Sequence, residues 1–133
     1  MIWTLLLLLS GSAQAQDHSV MVTQDVQVQT LRKKEVRRLF TGQSRVWADG
    51  RPVNLILPPM KSDAMAWLSS EVLGLPPDIY HRYLLEKAYR AGRSPPTVAT
   101  SLEAIRRAAE TVEAVLTVLP MPAGEGFQVV RIN

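Results

Sequence analysis

The residues of this chain best suited to chemistry lie in Met60–Trp67, MKSDAMAW. Ser62 is a strong N-cap type, and a helix beginning there would offer free backbone N–H groups and the positive end of its dipole. Those amides, the Ser62 hydroxyl as a donor and the Lys61 ammonium could together hold a small oxyanion. The same residues also suit a purely structural role, with Ser62 as a cap and Asp63 as a favourable first-turn acid. Asp63 argues against the anion, because a carboxylate and a bound anion a few ångströms apart repel each other.

Other chemistry is thinly supplied. No cysteine occurs in the 133 residues, which removes disulfides, thiol nucleophiles and thiolate metal sites together. His18 and His81 are far apart, and neither has metal-ligand spacing to a second histidine or a carboxylate. Neither a metal nor a cofactor is expected. Glu103, Glu110 and Glu113 share a stretch with Arg106 and Arg107, and Glu103 with Arg107 at i,i+4 suits a surface ion pair better than an acid/base dyad. With no Ser-His-Asp order and no glycine-rich phosphate loop, the chain does not read as an enzyme. Trp47, Trp67, Tyr80, Tyr83 and Tyr89 could stack on a ligand, but on helices and turns of a small domain they also make ordinary core.

The amino terminus, MIWTLLLLLSGSAQAQD, reads as a secretory signal peptide over residues 1–15, leaving one domain at 16–133. Its apolar run, Ile2–Leu9, is far short of the roughly 20 residues a membrane span needs, and Ala13 and Ala15 are small enough for a signal peptidase. The absence of Lys and Arg before that run keeps a buried amino-terminal helix open as the alternative. A periplasmic or secreted protein is expected, with no transmembrane segment after cleavage near Ala15.

Lys and Arg number 15 against 12 Asp and Glu, a net charge of +3. Five cations, Arg32, Lys33, Lys34, Arg37 and Arg38, fall within seven residues and could neutralise nucleic-acid phosphates. An exported protein rarely meets nucleic acid, however, and no aromatic residue interleaves the run except Phe40. Nucleic acid is therefore not an expected partner. The run reads as the wet side of an amphipathic helix, or as a surface for an anionic envelope component.

The elements that must position these residues follow from pattern. Ser19–Val28 predicts a first strand plus a loop. Thr30 can cap a helix whose Leu31, Val36, Leu39 and Phe40 turn inward, with Gly42 as its stop. Trp47–Gly50 is a turn, and Arg51–Leu57 a strand buried on both faces and ended by Pro58 and Pro59. Three helices are predicted next. The first runs from the Ser62 cap to Gly74, and the second from Pro76–Pro77 to Gly92. After an RSPP linker, the third covers Ser101–Val112 with a Thr100/Glu103 capping box. Glu113–Pro120 and Gly126–Ile132 are β-rich and joined by the turn-forming MPAGEG. The order β-α-β-α-α-α-β-β predicts an α/β fold, a small central sheet flanked by helices.

Taken in order, LRKKEVRRLFTGQSRVWADGRPVNLIL, the Ser at a helix start and LGLPPDIYHRYLLEKAYRAGRSPPTVATSLEAIRRAAETVEAVLTVLP resemble the phosphate-type substrate-binding proteins of ABC transporters. The resemblance runs from about Val20 to Ile132. It implies a single lobe of a type II periplasmic-binding-protein-like fold, where full members of the family have two. It implies an exported binding module for phosphate or another small oxyanion, or a lobe that has kept the fold, lost the ligand and serves another periplasmic or envelope protein. The family's matching turn is Ser-Gly-Thr and touches phosphate. Here Asp63 and Ala64 stand in the Gly and Thr places, and Ala64 supplies no hydroxyl. The resemblance therefore makes Lys61, Ser62, Asp63 and Ala64 the oxyanion-site candidates. The Ile-Gly-Tyr-like element that ends the family's closing strand is absent from Ala114–Pro120.

Overall fold

The computed structural model describes residues 17–133. The expected signal peptide, residues 1–15, lies outside the described residues. The elements run β1 (His18–Thr23), β2 (Thr30–Leu31), α1 (Lys33–Phe40), β3 (Asn54–Leu57) and α2 (Asp63–Leu68), which a π-helical turn continues over Ser69–Leu73. Then come α3 (Pro77–Arg90), β4 (Thr97–Val98), α4 (Leu102–Ala108), β5 (Val115–Pro120), β6 (Phe127–Val129) and β7 (Arg131–Ile132).

The main sheet has the order β4-β3-β5-β1-β6. β3 pairs parallel with both β4 and β5, while β1 pairs antiparallel with β5 and β6. β1 and β5 are the central strands, and all six residues of β5 are buried. Alternation along both strands sends side chains to two cores. Val20, Val22, Leu116 and Val118 face one side, packed with Val36, Phe40, Met65, Leu68, Tyr80 and Leu84 from α1, α2 and α3. Met21, Val115 and Leu119 face the other, with Ile56, Phe127 and Ile105 of α4. The result is an α/β lobe with helices on both faces of a mixed sheet.

Several boundaries differ from expectation, each for a tertiary reason. Thr30 does not cap α1, because Thr30 and Leu31 form β2 and pair in parallel with Arg131 and Ile132 of β7. The helix instead starts after Arg32, whose N–H donates to the Glu35 carboxylate at 3.3 Å. Ser101, rather than Thr100, caps α4 by accepting the Ala104 N–H at 3.1 Å. The third strand begins at Asn54, and only Ile56 and Leu57 of it are buried, since Val46 and Pro52 form an isolated bridge of their own. The segment after the RSPP linker supplies edge strand β4, and the last β-rich run divides between two sheets. In the helix predicted from Ser62 to Gly74 the last turn widens to the π form, closed by Gly74 at φ 68° with its N–H on the Ser69 carbonyl at 2.7 Å.

Two α3 side chains complete the carboxyl end of α1. The buried Tyr80 hydroxyl donates to the Phe40 carbonyl and the Lys87 ammonium to that of Thr41 at 3.1 Å, satisfying acceptors a helix end leaves open.

Candidate functional site

β3 delivers the chain through Pro58 and Pro59 into a turn, and α2 opens just beyond the carboxyl end of that strand. Ser62 is extended, φ −79° and ψ 157°, the backbone of an N-cap. Its N–H donates to the Pro59 carbonyl at 2.9 Å. Its hydroxyl donates to that same carbonyl at 2.6 Å and accepts the Met65 N–H at 3.2 Å. The expected donor of the anion site therefore spends its one proton inside the turn.

The other candidates divide by exposure. Lys61 and Asp63 are exposed, whereas Ala64 is fully buried in the core. Among the described residues, the Asp63 and Ala64 N–H groups have no hydrogen-bond acceptor. Only that of Asp63 belongs to an exposed residue. The turn thus offers an arriving anion one ammonium and the unpaired amide of an exposed residue, with one carboxylate opposing them.

The basic run behaves mostly as a wet helix face. Arg32, Lys33, Lys34, Arg37 and Arg38 are all exposed, and Val36, Leu39 and Phe40 point inward. Arg37 has a structural task, its Nε donating to the Val72 carbonyl of the π turn at 3.1 Å. His18 lies beside Trp67, ring centroids 6.4 Å apart, and His81 is on α3. Glu103 and Arg107 form the expected i,i+4 pair at 3.8 Å, largely exposed. Among the described residues no three His, Asp or Glu side chains group as metal ligands, and no helix is long and apolar enough to cross a membrane.

One polar cluster had no counterpart in the sequence reading. Arg51 bridges Asp25, at 2.6 Å, and Asp49, at 2.8 Å. The Asp25 carboxylate also accepts the Ala114 N–H at 2.9 Å. Ala114 has φ 53°, a left-handed conformation that costs an L-residue about 1–2 kcal/mol. Its carbonyl accepts the Trp47 indole N–H at 3.1 Å and the Asn54 N–H at 3.0 Å. Burial works against the Asp25 anion, but hydrogen bonds from Thr23, Arg51 and the Ala114 N–H outweigh it and hold the carboxyl below the usual range. The Arg51 N–H and guanidinium lower Asp49 likewise. These contacts tie the loop after β1, the Trp47 turn and the entry to β5 into one unit.

The fold, with a helix start just beyond the end of a parallel strand, is that of one lobe of the type II periplasmic-binding-protein-like fold. The solved structures it resembles include phosphate-transport proteins. A protein described as a phosphate ABC transporter substrate-binding protein, with bound phosphate, from Clostridium perfringens has a TM-score of 0.69 at 11% identity, over 88% of this chain and 45% of that one. An ABC-type phosphate transport receptor from Vibrio cholerae gives 0.65 at 10% identity, over 88% and 46%. PstS from Borrelia burgdorferi gives 0.59 at 11%, over 91% and 52%. The chain spans about half the length of the structures it matches, and at these identities the likeness is one of fold. No family model and no curated protein matches the sequence.

Proposed function

We propose that this chain is an exported binding module built on one lobe of the phosphate-type substrate-binding fold, and that its Lys61–Ala64 turn receives a small oxyanion such as phosphate. The observation that carries this reading is the placement of the turn. It stands where β3 hands over to α2 in a lobe fold shared with phosphate-transport proteins, with Lys61 and Asp63 exposed. The signal-like residues 1–15 would direct it to the periplasm or outside the cell. The site holds no nucleophile with a base beside it, so binding rather than catalysis is assigned.

A second reading has its own observation. The Ser62 proton goes to Pro59, Ala64 is buried, and the Asp63 carboxylate opposes an anion. On that reading the lobe has kept the fold, lost the ligand and presents its surface to another envelope protein.

Calorimetry of the mature chain with phosphate and sulfate separates the two. Oxyanion binding predicts heat in the wild type and tighter binding in Asp63→Gly, where a repelling carboxylate is gone. In Ser62→Ala the turn loosens and binding weakens. Ser62→Ala also costs about 1 kcal/mol of stability as a lost cap, so its melting is measured alongside. No heat in either the wild type or Asp63→Gly, with Ser62→Ala lowering only the melting temperature, makes the turn structural.

A further inference from the structure

We propose a second binding site, for a small organic carboxylate with an apolar body, in the cavity between the carboxyl-terminal ends of α1 and α3 and the amino-terminal half of β3. The cavity has a volume of about 590 Å³, within the roughly 300–1,000 Å³ of small-molecule sites. None of Lys61–Ala64 lines it, so it stands independently of the oxyanion reading.

Its chemistry is two-sided. Leu39, Leu55 and Leu84 give it apolar walls, and Arg45, Lys87 and Arg93 bring three cations. No acidic residue lines it; Glu86 borders only the adjoining hollow. The ion pairs among the described residues are those of Arg51 with Asp25 and Asp49 and of Arg107 with Glu103, so the three cavity cations have no carboxylate partner. Lys87 donates to the Thr41 carbonyl, while Arg45 and Arg93 are exposed.

The simplest alternative is that these cations answer the negative ends of α1 and α3. Two helix ends carry roughly half an elementary charge each, about one in all. Three cations exceed that by about two charges, enough to neutralise an added carboxylate.

Two further observations select an amphipathic occupant over inorganic phosphate. Val46 on the rim is 59% exposed, an apolar side chain left in water beside the cations. β4 pairs only with Ile56 and Leu57, so on that edge β3 has no neighbouring strand beside Asn54 and Leu55, whose other edge pairs with Val115 and Leu116 of β5. An apolar body packed on Val46 and the leucine walls would cover apolar surface that phosphate would leave wet.

The test titrates the mature chain with 4-phenylbutyrate, with its neutral counterpart 4-phenylbutanol and with inorganic phosphate, by calorimetry and by amide chemical shifts. The expected result is one 4-phenylbutyrate per chain, with 4-phenylbutanol about tenfold weaker or worse. The Gly42, Leu55 and Lys87 amides should shift, with Asp63 still. Arg45→Gln with Arg93→Gln should weaken the carboxylate at least about tenfold, while Ser62→Ala leaves it unchanged. Equal affinity for acid and alcohol, shifts elsewhere on the protein, or binding untouched by the double variant overturns the site. If the double variant fails to fold, the wild-type shifts and the acid-to-alcohol ratio decide alone. Phosphate shifts at Asp63 report on the turn only, so the two sites stand or fall separately.

Discussion

Replacing Asp25 by Ala should be among the most damaging changes to a partly exposed residue in this chain. The wild-type carboxylate accepts the Ala114 N–H at 2.9 Å and Arg51 Nη1 at 2.6 Å. A hydrogen bond to a charged acceptor contributes about 1.5–3 kcal/mol, and losing it releases the left-handed Ala114 backbone that it helps to hold. The ion pair adds no more than about 1 kcal/mol, because both partners are about one-third exposed and Arg51 keeps Asp49. Together these come to about 1.5–4 kcal/mol, a drop in melting temperature of roughly 6–16 °C for a domain of this size. Asp25→Asn, which keeps an acceptor, should lose about half as much. The pH dependence has a definite sign. The folded-state pKa is lowered, so the contribution is fully present above the unfolded value of about 3.9 and is lost as pH falls through the folded value. Urea unfolding of wild type and Asp25→Ala should therefore show a constant gap from pH 7 to about pH 5 that closes in stronger acid. A loss under about 0.5 kcal/mol at pH 7, or a gap unchanged in strong acid, would refute the reasoning.

Tyr80→Phe should cost about 1–2 kcal/mol, read from denaturant midpoints, because it leaves the Phe40 carbonyl buried without its donor. Burial pushes the Tyr80 phenol well above its usual range, so its ultraviolet signature should stay protonated until the protein unfolds in alkali. Material recovered from the periplasm should have the mass of a chain beginning at or near Gln16; a mass that retains Met1 to Ala15 would remove the export reading.

The parts of the fold legible in the sequence were those written in apolar pattern. β1, β3, β5 and the four helices follow from runs and periodicity within single stretches. The two-residue strands β2 and β4 do not, because Thr30 and Thr97 become strand only through partners far along the chain, and β7, inside the predicted Gly126–Ile132 run, is separated from β6 only by its pairing with β2. Capping went astray by the same route: Thr30 is drawn into a ladder, and the helix start moves to Arg32. At the candidate site, Ser62 was identifiable as a cap, but the destination of its proton depends on how Pro58 and Pro59 fold the turn. Asp25 and Arg51, 26 residues apart, and the convergence of Arg45, Lys87 and Arg93 carry no local spacing signal.

The position of β1 bears on when this lobe can form. It lies between β5 and β6, so the strand that emerges earliest among the described residues finds both neighbours only at the far end of the chain. During synthesis, β1 and β3 have no β5 to join them, and α1 to α3 have no closed sheet on which to bury Val36, Met65 and Tyr80. Pairings of such long range form slowly, since the intervening chain must be ordered before they are rewarded. On the proposed export of this chain, unfolded and amino end first, such a delay would keep it open until Val115 onward had passed and let the sheet close on the far side.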